Sequence, residues 1–369
     1  MSESSAWKES QIYLTGSEYV EAIIRLCDLS HQSIRIESYI FEEDRSGRRV
    51  LIALKSAAAR GLKVRVLVDA IGSPSWTVEQ VSELARAGVG VRIFGRFPDI
   101  IRVAWKLCLS GKLWTAFQAL RKFQLRNHRK LAIFDERTAL VGSANIGDRF
   151  ENWRETTVEL TGPGVGVLKR TFVRSWRLAA RERLRDERAE NPAVRTNFTR
   201  KERLAVNRDF VKKISAEKHR VYMTTAYFHP RPRLMLALFS ALKRGVDLRI
   251  ISPRDSDISW FPWLSRAAFS GLIQKGARVY EYKSVMNHSK TTLFSRAAIV
   301  GSTNMNYRSF MHDLELDVLI DRPEAVKKFE TVFKTDLEHS ELLTKESIRG
   351  FYPYALLVSF LLTPFKRWL

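Results

Sequence analysis

The stretch that decides how this chain is read is HRKLAIFDERTALVGSAN, residues 128–145. It places His128 two residues before Lys130, puts Asp135 five residues after that lysine, and closes on Gly142-Ser143-Ala144-Asn145. Residues 288–304, HSKTTLFSRAAIVGSTN, repeat the phrase with His288, Lys290 and Gly301-Ser302-Thr303-Asn304. One His-x-Lys carries no weight, because chance supplies many. Two copies, each followed at matched spacing by Gly-Ser-x-Asn, imply one site built from two related halves.

The surroundings extend the duplication. Ser33–Phe41 and Leu62–Val68 are short β-branched runs, and Val50–Arg60 between them carries Ala and Leu at helical spacing. Arg220–Phe228, Leu234–Arg244 and Val246–Ser252 repeat the order strand, helix, strand. AARGLKVRV at 58–66 matches LKRGVDLRI at 242–250 in kind, as AGVGVR at 87–92 matches KGARV at 275–279. Strands separated by helices predict α/β layers, with helices covering a mixed or largely parallel sheet.

Composition bounds the answer. At 369 residues and 45% apolar content, the chain can fill two core-sized units or one large duplicated unit. Cys27 and Cys108 are too few for a disulfide framework, which suits a reducing compartment. The first residues lack an apolar signal core, and no run approaches the roughly 20 apolar residues a bilayer span requires. A cytosolic or membrane-face location is therefore expected. The net charge of +22 calls for an anionic partner, nucleic acid or acidic lipid, and does not choose between them.

The halves differ in one place. Gly88 and His128 lie 40 residues apart, Gly276 and His288 only 12, so the first half carries an insertion near 97–126. There Trp105, Trp114, Phe117 and Phe123 stand among Arg102, Lys106, Lys112, Arg121, Lys122 and Arg126, with no acid between Asp99 and Asp135. Such a stretch suits an anionic membrane interface, or a surface helix pair packed on the body. Residues 181–203 are charge-rich, contain Pro192, show no apolar period, and read as the connector between halves. The tail Phe351–Leu369 is apolar, interrupted by Pro353 and Pro364, and ends with Lys366, Arg367 and Trp368. It is suited to lie among lipid headgroups or to pack into a groove.

The repeated residues point to one kind of chemistry. Side chains two apart on an extended strand share a face, so each half offers an imidazole and an ammonium together. Ser143 with Asn145, and Ser302 with Asn304, repeat that spacing after a glycine turn. Paired lysines with Ser and Asn donors can hold negative charge on phosphoryl oxygens without a metal. Two histidines on opposite sides allow in-line displacement, one attacking phosphorus and the other moving the alcohol's proton. Each imidazole needs an acceptor for its second nitrogen, and Glu155 and Glu315 are the candidates. Metal binding by His128 or His288 is not expected, because no Cys, His or carboxylate cluster accompanies them. His219, His229 and His312 have no paired context and read as surface or loop residues.

On these motifs the chain resembles the phospholipase D superfamily with two HKD motifs, and is most similar to the bacterial cardiolipin synthase branch lacking N-terminal membrane spans. The likeness covers roughly residues 10–345 and takes in Glu37-Ser-Tyr-Ile-Phe41, Val66–Ser73, Ala226-Tyr-Phe-His-Pro230 and Asn306–Phe310 leading to Leu314-Glu315. It implies an α/β fold of two fused phospholipase D-like α-β-α units about a pseudo-twofold axis, with the active site at their interface. The units expected are 1–185 with the insertion, a linker over 186–205, a second domain over 206–345, and a membrane-associating tail over 346–369. By the same resemblance His128 is the nucleophile and His288 the acid and base. Lys130, Lys290, Asn145 and Asn304 hold phosphate, and Glu155 and Glu315 orient the imidazoles.

The second motif departs from the family in having Ser295 where an aspartate is usual, and its turn is one residue shorter. Asp135 is expected to support its turn and not to touch phosphate, which makes the loss tolerable. The activity implied is phosphatidyl transfer, forming cardiolipin from phosphatidylglycerol through a phosphohistidine, with no cofactor. Phospholipid hydrolysis by the same residues, a nuclease suited to the charge, and a silent lipid-binding scaffold are the alternatives. The partner implied is an anionic phospholipid membrane, at the cytoplasmic face of a bacterial cell, for a monomer with an internal pseudo-dimer.

Overall fold

The computed structural model describes residues 6–8, 10–95, 110, 125–182 and 191–349. The insertion expected at 97–126, apart from Ser110, Leu125 and Arg126, lies outside the described residues, as does the tail from 350 onward.

The first half runs β1 (Ser10–Thr15), α1 (Gly16–Leu29), β2 (Ser33–Ser38), α2 (Arg45–Ala59), β3 (Lys63–Asp69), α3 (Val78–Arg86) and β4 (Val89–Phe94). It continues after the insertion with β5 (Leu131–Phe134), β6 (Thr138–Gly142), β7 (Arg154–Thr161) and α4 (Gly164–Ala179). The second half opens with β8 (Val194–Thr196), α5 (Arg200–Ala216), β9 (Arg220–Thr224), β10 (Phe228–His229), α6 (Pro232–Lys243), β11 (Asp247–Pro253) and α7 (Phe261–Gln274). It closes with β12 (Arg278–Tyr282), β13 (Thr291–Leu293), β14 (Ala298–Gly301), β15 (Met305–Asn306), α8 (Tyr307–Met311), β16 (Leu316–Ile320), α9 (Pro323–Glu338), β17 (Ser340–Leu342) and α10 (Lys345–Arg349).

The duplication is visible strand by strand. One sheet has the order β1-β7-β6-β5-β2-β3-β4, and the other, read from its far edge, β8-β16-β14-β13-β9-β11-β12-β17. In both, β2-β3-β4 and β9-β11-β12 run parallel, the hairpins carrying the repeated motif are antiparallel, and β17 adds an antiparallel edge to the second sheet. The sheets are therefore mixed. Local signals explain the punctuation. Thr15 with Glu18, and Thr199 with Glu202, form capping boxes at the starts of α1 and α5. Gly61 and Gly245, at φ +90° and +82°, end the matched helices α2 and α6 in a conformation that costs a side-chain-bearing residue more.

The layers stack helix, sheet, helix, sheet, helix. A central apolar cluster joins both sheets to α4 and α9, with Ile133, Val158 and Phe172 meeting Ile251, Leu316 and Phe329. Separate clusters cover the outer faces, one under α1, α2 and α3 and one under α5, α6 and α7. Phe172 and Phe329 are buried in the shared layer, and truncating either to Ala would cost about 3–5 kcal/mol. That layer fixes the halves against each other and so fixes the site.

Two expectations need correction. The connector expected over 186–205 already holds structure: β8 pairs with β16 at the edge of the second sheet, and α5 begins at Arg200. Val194 and Phe198 are buried there, an apolar pair hidden among charges, and the buried Arg195 is joined to Asp209. The strand expected over Arg220–Phe228 also breaks after Thr224, and Phe228–His229 pairs instead with β15. The break turns Tyr227 toward the site described next. Among the described residues no helix is long and apolar enough to cross a membrane.

Candidate active site

Each His-x-Lys segment forms the extended lead-in to a hairpin, and it is held by the other half. His128 N–H donates to Leu314 O at 3.0 Å, and Leu314 N–H to Arg126 O at 2.8 Å. The mirror pair is His288 N–H to Arg154 O at 2.8 Å and Arg154 N–H to Met286 O at 2.9 Å. Leu314 and Arg154 are the residues immediately before the two glutamates, so the bridges decide which glutamate meets which histidine. His128 Nδ1 lies 3.1 and 3.0 Å from the two Glu315 oxygens, and His288 Nδ1 lies 2.8 Å from Glu155 Oε1. Both pairs cross between the halves. An acceptor on Nδ1 fixes that nitrogen as the N–H and leaves Nε2 with its lone pair.

The serines do something other than expected. Ser143 Oγ donates to Glu155, and Ser302 Oγ to Glu315, while each accepts a backbone N–H, from Thr156 and from Leu316, at 3.0 Å. They anchor the carboxylates and have no hydroxyl hydrogen left to offer a phosphate. The glycines before them are required by close approach: a Cβ on Gly142 would stand 2.3 Å from Thr156 O, and one on Gly301 would stand 2.2 Å from Leu316 O. Asp135 lies outside the cavity, at the turn that follows β5. It accepts three backbone N–H groups, from His31, Gln32 and Ser33, at 2.8, 2.7 and 2.9 Å.

One cavity of about 260 Å³ receives both histidines together with Asn145 and Asn304. The side-chain oxygens of the two asparagines are buried and, among the described residues, bond to no other protein group. Lys130 and Lys290 are buried next to the histidines, and each Nζ donates to the carbonyl of its own histidine, at 2.8 and 2.6 Å. An ammonium has three hydrogens, so two remain for a ligand. Tyr39 meets His128 edge-on at 4.8 Å, and Trp153 meets His288 at 5.3 Å. None of His219, His229 and His312 lines the cavity. A larger open groove of about 870 Å³ lies elsewhere, between β1 and α9, with Lys8, Glu159, Arg322 and Lys328 in its wall. It contains no part of the repeated motif, so its size does not make it the site.

Burial and mutual charge tune the groups. Burial pushes the lysines down, Lys130 to about 7 with help from Lys290, and Lys290 to about 8. Burial followed by the field of both lysines holds His128 well below its ordinary value. His288 is also lowered by burial, but Glu155 opposes that shift. The glutamates diverge. Burial raises Glu315 to about 7, whereas at Glu155 the pull of His288, Lys290 and the Ser143 hydroxyl outweighs burial and keeps the carboxyl below its ordinary range.

Sequence reasoning missed the supports around this core. Arg129, the middle residue of the first motif, is buried, donates to Glu315 O at 3.0 Å and to Ser175 Oγ at 2.7 Å, and covers the Phe198 ring at 3.7 Å. Arg154 is buried against Asp336, with Nε and Nη2 at 2.7 and 2.9 Å from its oxygens. An arginine in a charged stretch reads as surface, so no local signal marked either one. Tyr39 and Tyr227 were legible only as parts of phrases shared with the family. Among the described residues no three His, Cys, Asp or Glu side chains are grouped as a metal site would need.

The family model described as "Cardiolipin synthase, PLD-like domain" matches residues 23–176 and 210–337. The chain is 28% identical over 361 residues to "Probable cardiolipin synthase YwiE" of Bacillus subtilis, covering 93% of this chain and 68% of that protein. It is 28% identical over 358 residues to "Cardiolipin synthase" of Listeria monocytogenes serotype 4b, covering 92% and 70%. Among solved structures, phosphatidylserine synthase from Haemophilus influenzae Rd KW20 has TM-score 0.69 at 14% identity, covering 97% of this chain and 92% of that one. Polyphosphate kinase from Porphyromonas gingivalis has TM-score 0.63 at 13% identity, covering 93% and 49%. The structural likenesses bear on the fold alone.

Proposed function

The chain belongs to the cardiolipin synthase family of phospholipase D-like proteins, and from that membership we propose that it is a phosphatidyltransferase forming cardiolipin from phosphatidylglycerol with release of glycerol. The observation that carries the reading is the pair of cross-half His–Glu contacts opening on one cavity, with a lysine beside each histidine. That set provides a nucleophile, a proton carrier and fixed positive charge in one place.

In the first step Nε2 of His128 attacks phosphorus, and the bond to the departing glycerol oxygen breaks as His288 gives that oxygen its proton. In the second, the incoming hydroxyl returns a proton to His288 and attacks phosphorus, and the bond to His128 breaks. Charge supports this division. His128 sits between two ammonium groups and stays neutral, as a nucleophile must, while ionised Glu155 helps His288 to carry a proton. Lys130, Lys290, Asn145 and Asn304 are the groups that hold the phosphoryl oxygens, and their charge needs no reorganisation during the reaction. Glu155, Glu315, Ser143 and Ser302 are positioning residues that act through the imidazoles.

The substrate places the protein at a membrane, and we take the cytoplasmic face of a bacterial membrane as its location, reached peripherally. The test is incubation with labelled phosphatidylglycerol vesicles and excess EDTA, followed by lipid analysis and intact-mass measurement of the protein. Cardiolipin with a transient phosphatidyl adduct is expected; phosphatidic acid alone would make the protein a hydrolase, and unchanged lipid would end the reading.

A further inference from the structure

The two ends of the cavity are unlike. Near His128 the wall carries Tyr39, Arg308 and Asp313, and Arg308 Nε lies 2.9 Å from Asp313 Oδ2. Near His288 it carries Trp153, Tyr227 and Asp257, and Tyr227 Oη donates to Asp257 Oδ1 at 2.5 Å. Among the described residues Asp257 and Asp313 are the two carboxylates of this wall, and they are placed differently. Asp313 is buried and neutralised by arginine. Asp257 is exposed at the mouth, on the loop between β11 and α7, and its donors among the described residues are the hydroxyls of Tyr227 and Ser256.

A carboxylate at the mouth of a pocket for anions needs a reason. It accepts hydrogen bonds from hydroxyl groups. Its partner Tyr227 faces the His288 ring edge-on, centroids 6.2 Å apart, and His288 moves the alcohol's proton in both steps, so the alcohol's hydroxyls come to this end. We propose that Asp257, oriented by Tyr227, is the acceptor-alcohol subsite: it accepts a hydrogen bond from one hydroxyl of a vicinal polyol while the neighbouring hydroxyl attacks phosphorus. This rests on the transferase reading and names its acceptor class, a glycerol-bearing headgroup in preference to a simple alcohol or water. In the step itself the attacking hydroxyl gives its proton to His288 Nε2 and bonds to phosphorus, and the phosphorus–nitrogen bond to His128 breaks, returning its electron pair to the ring. A site built to bond a hydroxyl discriminates well against a molecule lacking it.

The experiment is a competition within one reaction. The full chain, with phosphatidylglycerol in detergent micelles, receives deuterated glycerol and 1-butanol together, and mass spectrometry reads the ratio of the two transfer products. Asp257→Asn keeps the shape and removes the charge, and the glycerol-to-butanol ratio falls about tenfold, as for one lost charge-assisted hydrogen bond. Tyr227→Phe keeps the carboxylate and lowers the ratio less. Because a ratio cancels a general loss of folded enzyme, a poorly folding variant still gives an answer. A ratio for Asp257→Asn within about twofold of the unaltered chain overturns the subsite, whether the two products are unchanged or fall together. Transfer to neither alcohol by the unaltered chain is a different failure, that of the transferase reading itself.

Discussion

In the first half, Asp135 at the end of β5 reaches the backbone N–H groups of residues 31–33, at the start of β2. In the second half Ser295 holds that position, and the carboxylate comes from the opposite side. Glu217, just before β9, accepts the N–H groups of Lys218 and His219 at 2.8 and 3.0 Å, and the N–H and hydroxyl of Ser295 at 3.0 and 2.7 Å. One carboxylate joins the strand start to the hairpin turn in each half, supplied once by the turn and once by the strand's approach. What is repeated is the electrostatic need of a corner crowded with backbone donors, not the residue that meets it. This is why the second hairpin keeps its register against β9 although its aspartate is gone. At the histidines the halves differ in the other direction: the residues are the same and the electrostatics are not.

The strongest way to break that second contrast is through the histidines. His128→Ala should lower turnover on the order of 10⁴-fold or more and leave no covalent adduct by intact mass. His288→Ala should still form the adduct from a phosphodiester with a nitrophenolate leaving group, which departs without a proton. Adducts in both variants, or in neither, would erase the asymmetry. Next come the lysines. Lys130→Met and Lys290→Met should each lower kcat on the order of 10²–10³-fold, and unequal losses would show which ammonium holds more of the developing charge.

The glutamates sharpen the contrast through pH. Glu315 is raised from an ordinary 4.5 to about 7, so the folded chain keeps a proton that the unfolded chain has released. Its contribution to stability is full below about pH 4.5 and is lost as pH rises through 7. Glu155 is held below 4.5, so its contribution is present above that value and is lost as pH falls through its folded value. Glu315→Gln should therefore flatten the fall in urea midpoint between about pH 5 and pH 8, and Glu155→Gln should leave that fall in place. Identical slopes in the two variants would refute the divergence. The smallest effect belongs to the corner. Ser295→Asp places a second carboxylate against Glu217 and should destabilise by about 1 kcal/mol, and adding Glu217→Ala should relieve it.

Much of this site is legible in the sequence. His128, Lys130, His288 and Lys290 announced themselves by repetition, and Asn145 and Asn304 followed from the glycine turns. Ser143 and Ser302 were found but misassigned, because a hydroxyl near phosphate-binding residues looks like a phosphate donor until its carboxylate partner is seen. Arg129, Arg154 and Asp336 were invisible, since burial of a charge is a property of the packed layers and leaves no mark on a polar stretch. Val194 and Phe198 were lost among the charges around them.

The sequence by itself determined the inventory and the duplication: alternating strands and helices, two motifs at matched spacing, and the groups that phosphoryl transfer requires. Those follow from local chemistry, the period of a strand, the end of a helix and the identity of a side chain. Only the tertiary structure decided that His128 is served by Glu315, 187 residues away, while Glu155 serves His288, 133 residues away. It also decided which carboxyl is pushed up and which is held down. Both depend on the strand starts of one half bridging to the histidine segments of the other, and on how much water and opposite charge each group then keeps, and neither is encoded by separation along the chain.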